Sequence, residues 1–428
     1  MIKAGKLYSS IMKNSLISRR TFLAISVLIL FFNILIFSGF TYPKSGAVAA
    51  TENWVGTWST APQLVERNNM PPEPGLTNNT IRQIVCVSIG GKTLQMRFSN
   101  EFSEEPVTMR MVQIAVSKGG SAIDESTVTE IKFDGKAQVT MEPGISITSD
   151  PFDFNLDPRM EVAITIAFGE TSPSVTGHPG SRTTSYILSG NQTTPSADYS
   201  EAVKTDHWYV INGIDVIAPK KAAAVAIIGN SITDGRGSGT NKQNRWPDEL
   251  AKRLLANKKT KNIGVLNMGI GGNCVLRGGL GPTALSRFER DILNQHGVKW
   301  LIILEGVNDL GGTRNKEMAD GVANGLIEAY GKMIDDAHAK GIKVYGATIT
   351  QIKESFYYAD YREEARKKVN DWIRSSGRFD TVIDFDKTME DPNNPDVILD
   401  TAHDGDHLHP NELGYQMMGG AIDLKLFK

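Results

Sequence analysis

A chain of 428 residues is long enough for two or three domains, each with a sizeable core. With 22% charged residues and a formal net charge of −2, it has neither the basic excess that suits nucleic acid nor the acidic run of a solvating tail. The two cysteines, Cys86 and Cys274, lie far apart and no Cys/His cluster has zinc spacing, so neither a disulfide framework nor a structural zinc site is expected.

Residues 1–49 read as a signal peptide or an N-terminal membrane anchor. Lys3, Lys6, Lys13, Arg19 and Arg20 form a positive n-region, and Phe22 to Phe40 is almost unbroken apolar sequence. Ala47-Val48-Ala49 has the small-x-small pattern of a signal-peptidase site. Cleavage there yields a mature chain from about Ala50 that is secreted, periplasmic or held at the cell surface; left uncut, the run is long enough to anchor the protein in a bilayer. Ser18-Arg19-Arg20-Thr21-Phe22-Leu23 also resembles a bacterial twin-arginine motif, so the export route stays open.

From 50 to 218 the pattern is one of short alternating segments: Ile81 to Ile89, Thr93 to Phe98, Val107 to Val116, Thr127 to Phe133, Ile145 to Thr148 and Met160 to Phe168. Gly90-Gly91, Gly119-Gly120, Asp134-Gly135, Pro143-Gly144 and Asp157-Pro158 punctuate them. This predicts an antiparallel β-sandwich of jelly-roll type. Pro173 to Ser200, rich in Ser, Thr, Gly and Pro, reads as a long loop that could cover a site.

From 219 to 428 strands alternate with helices. The predicted strands are Ala223 to Ile228, Gly264 to Asn267, Trp300 to Leu304, Lys343 to Thr348 and Thr381 to Asp384. Helices are expected at Trp246 to Ala256, Ala284 to Asn294, Ala319 to Lys340, Tyr361 to Ser375 and from about Asn411. Such alternation predicts a three-layer α/β/α domain around a mostly parallel sheet.

In such a sheet, ligands bind beyond the carboxyl ends of the strands. Four stretches fall there: Gly229-Asn230-Ser231-Ile232, Asn267 to Asn273, Glu305-Gly306-Val307-Asn308-Asp309 and Asp404 to Pro410. Together they hold the parts that acyl transfer requires. A serine hydroxyl needs a base, and a histidine base needs a carboxylate to fix its tautomer. Asp406 and His409, three residues apart, can supply both, with Asp404 as a rival carboxylate. Backbone N–H groups at Ser231 and a glycine, with the amide of Asn308, can hold the oxyanion.

At these residues the sequence resembles the SGNH/GDSL hydrolase family over 220–428. Gly229-Asn230-Ser231-Ile232 matches its first block, Gly272 its second, Gly306-x-Asn308-Asp309 its third and Asp406-x-x-His409 its fifth. The resemblance implies a flavodoxin-like α/β/α fold and no metal or organic cofactor. It also implies Ser231 as nucleophile, His409 as base, Asp406 as its partner, and Ser231, Gly272 and Asn308 as the oxyanion hole. Trp54 to Trp58, Arg82-Gln83 and Ser99 to Phe102 are similar to the β-sandwich of an exported subgroup. One position departs from the pattern: the family's usual aspartate before the serine is Asn230.

Other residues can reach the crevice. His178, Arg182 and Arg277 are candidate substrate-binding groups, Tyr357, Tyr358 and Tyr361 a candidate aromatic rim, and Trp246 is expected in the core. The expected partner is a small-molecule or polysaccharide ester, not nucleic acid. The function expected is that of an exported serine esterase, acting on O-acetylated carbohydrate, with a short-chain lipid or aryl ester as the alternative substrate. A carbohydrate-binding protein without catalysis is the rival class.

Overall fold

The alternation in the first half closes into antiparallel sheets, and the uninterrupted apolar runs of the second half form a parallel one. The computed structural model describes residues 52–194 and 197–428, and the expected signal segment lies outside them. Residues 52–428 form one compact unit. Among the described residues, no helix is long and apolar enough to cross a membrane.

Two antiparallel sheets face each other over an apolar core. One runs, edge to edge, Val203–Thr205, Ser185–Leu188, Thr80–Cys86, Glu161–Phe168, Val107–Val116 and Thr129–Ile131, with Val139–Met141 also on Val107–Val116. The other runs Trp54–Ser59, Ile211–Ile217, Gly91–Ser99 and Ser146–Thr148, with Phe152–Leu156 also on Gly91–Ser99. A small third sheet joins Trp208–Tyr209, Thr176–His178 and Gln63–Leu64.

The stretch from Pro173 to Ser200, expected to be a loop, therefore contributes two strands. Ser185–Leu188 pairs on both sides, with Thr80–Cys86 and Val203–Thr205. Its Ser and Thr neighbours suggest turns, but cross-strand pairing overrides local preference here.

The parallel sheet has the order Ile263–Gly269, Ala223–Gly229, Val298–Leu304, Lys343–Ala347, Thr381–Ile383. This is the 2-1-3-4-5 order of flavodoxin-like folds, whose switch point lies beside the first strand. Ala224, Ala226 and Ile228 point to one core, shared with helix Lys316–Ala339 and with the β-sandwich. Val225 and Ile227 point to the other, shared with Trp246–Ala256 and Glu412–Ala421. Both faces are covered, which is why these strands are apolar throughout. Trp246 lies fully in the second core, against Phe385.

Strand Ile263–Gly269 would be an open edge, but the β-sandwich covers it. The Val265 N–H donates to Ser88 Oγ at 2.9 Å, and Ser59 Oγ reaches Met268 Sδ at 3.0 Å. Gly56 N–H, from the sandwich, donates to the carbonyl of His296 at 3.0 Å.

Candidate active site

The carboxyl ends of the first three strands are level. Gly229 is in register with Gly269 on one side and with Leu304 on the other. The chain segments that follow these residues therefore emerge at the same height, at the switch point.

After Gly229 the backbone turns into a single helical turn, Ser231–Asp234. Asn230 caps it, its Oδ1 accepting the N–H of Ile232 at 3.0 Å. Ser231 is the first helical residue, so its N–H has no intrahelical acceptor and remains available. Its Oγ lies 2.8 Å from His409 Nε2. His409 Nδ1 lies 2.6 Å from Asp406 Oδ2. Asp406 Oδ1 accepts the backbone N–H groups of Leu408 and His409 at 2.9 and 2.8 Å, fixing the carboxylate against the ring. Asp406, rather than Asp404, holds the imidazole.

The electrostatics suit proton transfer. Burial lowers the pKa of His409 below its ordinary value, and the Asp406 carboxylate opposes this only in part. The ring is therefore neutral near pH 7 and able to accept a proton. Burial works to raise the Asp406 carboxyl, but the His409 N–H, the imidazole and the Leu408 N–H outweigh it and hold it well below the usual carboxylate range. Asp404, an exposed residue beside Asp406, is pushed up by desolvation of its carboxyl and by that neighbouring carboxylate.

The residues expected to form the oxyanion hole lie beyond the next two strand ends. Gly272 has a positive φ of 69°. Asn308 sits in the first turn of helix Val307–Gly311. Its Nδ2 donates to the carbonyl of Asn273 at 2.7 Å, and its Oδ1 accepts the Tyr357 hydroxyl at 2.9 Å. Asp309 ties the two loops together by accepting the N–H groups of Val275 and Leu276, both at 2.9 Å.

Beneath these loops lies Arg287, fully buried. It donates to the carbonyl of Met268 at 2.6 Å, to Asn273 Oδ1 at 2.9 Å and to the carbonyl of Gly229 at 3.3 Å. One guanidinium thus touches the nucleophile strand and the glycine loop together. Asp291 Oδ2 lies 3.0 Å from it and Glu305 Oε1 3.8 Å. Glu305 is wholly buried, and burial pushes its carboxyl up to about 8 against the pull of Arg287. Asn230 Nδ2 donates to Glu305 Oε2 at 3.4 Å. That contact gives the departure from the family pattern a physical setting: an amide can donate to Glu305, an aspartate cannot.

Ser231, His409, Gly272 and Asn308 line a crevice of about 330 Å³. Loops of the β-sandwich form part of its wall, through Gln63, Glu66, Asn69, Arg182 and His207. Arg182 therefore lines the crevice. His178 is elsewhere: it is buried, with Nδ1 3.0 Å from the carbonyl of Ala61 and Nε2 2.9 Å from Asp234 Oδ1. Both ring nitrogens are occupied, and the pair clamps the sandwich to the nucleophile turn. Arg277 is exposed and does not line the crevice. Of the tyrosines, Tyr357 lines it, joined by the exposed Phe356.

Sequence reasoning gave Arg287 and Glu305 no role. Glu305 stands inside a motif already singled out, and a carboxylate directly after a buried strand was a usable signal. Arg287 offers none, being one arginine on an amphipathic segment.

Residues 227–417 match the family model of the GDSL-like lipase/acylhydrolase family. The chain carries a GDSL-like hydrolase domain. With it comes the activity class, that of a serine esterase of the SGNH/GDSL type. No curated protein matches the sequence. Among solved structures, the GDSL-like domain is similar to a member of the lipolytic protein G-D-S-L family from Veillonella parvula DSM 2008, at 23% identity over 47% of this chain and 96% of that one, with a TM-score of 0.35. It is also similar to the lipase/acylhydrolase from Enterococcus faecalis, at 21% identity over 46% and 92%, TM-score 0.36. An acetyl xylan esterase from Geobacillus stearothermophilus aligns at 18% identity over 47% and 94%, TM-score 0.36.

Proposed function

We propose that the protein is an exported carbohydrate O-acetylesterase working through an acyl-enzyme on Ser231. His409 Nε2 takes the Ser231 proton as Oγ attacks the ester carbonyl, and Asp406 holds the imidazolium that results. The oxyanion is received by the N–H groups of Ser231 and Gly272 and the side-chain amide of Asn308. His409 then gives its proton to the departing alcohol oxygen. Water, deprotonated by the same ring, releases the acyl group and restores Ser231.

The observation that carries this reading is the continuous relay from Ser231 Oγ to His409 at 2.8 Å and on to Asp406 at 2.6 Å. Support for a sugar-like alcohol comes from the crevice wall. Its volume of about 330 Å³ suits a small ligand, and Gln63, Glu66, Asn69, Arg182, His207 and Arg236 offer it hydrogen-bonding groups. The basic residues, apolar run and Ala47-Val48-Ala49 at the start of the sequence support an extracytoplasmic substrate.

A second reading, a short-chain lipid or aryl ester, is favoured by Phe356 and Leu280, which line the crevice and are 63% and 46% exposed. Two measurements separate them. Release of acetate from a panel of acetylated polysaccharides, with a steep loss of rate from p-nitrophenyl acetate to octanoate, is the expected result. Faster octanoate hydrolysis with no acetate released from any polysaccharide overturns it. Ser231→Ala should abolish both activities, and equal rates in that variant would end the esterase mechanism.

A further inference from the structure

An oxyanion amide is useful only if its N–H, and not its carbonyl oxygen, faces the reacting carbonyl. Asn308 has two N–H bonds and one carbonyl, and the structure shows where two of the three go. One N–H is taken by the carbonyl of Asn273, and the Oδ1 is taken by the hydroxyl of Tyr357. The second N–H is left for the crevice. The Asn273 carbonyl, which can only accept, fixes this sense of the amide, since reversal would set Oδ1 against it; the Tyr357 hydroxyl, donating to Oδ1, then braces the amide in place.

Tyr357 is itself held in place. Its N–H donates to Ser355 Oγ at 3.2 Å, and its carbonyl accepts from Arg362 Nη1 at 3.0 Å. Its ring lies on Gly311, where even a Cβ would come within 2.5 Å of the ring carbons. Gly311 ends the same short helix that carries Asn308, so the seat of the ring and the amide it addresses belong to one rigid turn. A tyrosine 49 residues further along the chain thus reaches back to orient a group of the reaction centre.

We propose that Tyr357 is the positioning residue of the oxyanion hole, acting on the reaction through Asn308 and seated by Gly311. This rests on the Ser231 esterase reading. It adds a residue that no motif of the catalytic blocks contains.

The test is a double-mutant cycle on p-nitrophenyl acetate hydrolysis, with Ser231→Ala measured alongside. Tyr357→Phe removes one oxygen and leaves the ring on its seat. It should lower kcat by roughly ten-fold with KM within about two-fold, because a loosened donor is felt in the transition state more than in ground-state binding. Asn308→Ala should lower kcat by roughly 10²–10³-fold. In that background Tyr357→Phe should have no further effect on kcat. A gentler check is Gly311→Ala, which displaces the ring with its hydroxyl intact and should reproduce the kcat loss of Tyr357→Phe. The proposal is overturned if Tyr357→Phe leaves kcat unchanged, if it raises KM instead, or if it costs as much with Asn308 absent as with it present. If Ser231→Ala is as active as the unaltered protein, the esterase reading itself fails and this inference goes with it; an inactive Ser231→Ala with an unaffected Tyr357→Phe removes the inference alone.

Discussion

Replacing Asn230 by aspartate would restore the residue usual in the family, and the structure predicts that it costs stability chiefly in alkaline solution. Asn230 and Glu305 are each 1% exposed, and the Asn230 amide donates to Glu305 across 3.4 Å. Aspartate has no proton to offer. Two ionised carboxylates at that separation repel by about 5 kcal/mol at an effective dielectric constant of about 20, which corresponds to roughly 3.5 pH units. The pair escapes by keeping one proton between its two groups. Glu305 alone keeps its proton to about pH 8; the shared proton of the variant would stay bound well beyond that. While the folded chain holds a proton that the unfolded chain has lost, stability falls by about 1.4 kcal/mol for each unit of rising pH. In the unaltered protein the contribution of Glu305 to that fall ends near its folded pKa. In Asn230→Asp it continues, so the variant should lose about 3 kcal/mol relative to the parent between about pH 8 and about pH 10. Urea denaturation of both proteins at intervals from about pH 6 to about pH 10 measures the difference. Two curves separated by a constant amount throughout would refute the reasoning.

Three other outcomes are expected. Because burial holds His409 below its ordinary value, the acid limb of kcat/KM should lie below about pH 6.5, with a flat profile through neutrality. Asp406→Asn removes the group that raises the His409 pKa, so the limb should move to still lower pH while kcat drops by roughly 10⁴-fold; a shift towards alkaline pH would contradict the pairing. At Gly180 a methyl group would collide with the Asp234 carboxylate. Gly180→Ala should therefore disrupt the His178–Asp234 contact and destabilise the protein by about 1–3 kcal/mol, read by thermal or urea unfolding. An unchanged midpoint would mean that the loop gives way without strain.

The catalytic blocks were readable because each keeps its chemistry within a few residues. Asp406 and His409 share one loop, and Ser231 follows directly on a buried run whose apolar length marks a parallel strand. The supporting residues were not readable in that way. Arg287 meets Gly229 at a separation of 58 residues, and His178 meets Asp234 at 56. No local spacing encodes such contacts; they follow from the strand order, which sequence periodicity does not specify. His178 illustrates the point: it was expected to face the crevice from a loop, but it ends the strand Thr176–His178 and its side chain turns inward to Asp234. The two strands hidden in Pro173 to Ser200 were missed for a related reason, as their residues favour turns until neighbouring strands supply hydrogen-bond partners.

The sandwich loops that wall the crevice, and the sandwich strand that shields Ile263–Gly269, bear on how this architecture can be dismantled or recombined. Excising the hydrolase half would bare a strand margin and an oily seam at once, inviting self-association before any assay could be run. Transplanting a foreign hydrolase half onto this sandwich would leave the wall proposed to meet the alcohol facing a stranger's nucleophile. Engineers wishing to retune which ester is accepted therefore have a second set of positions to vary, distant from the acyl-transfer machinery in the chain but adjacent to it in space.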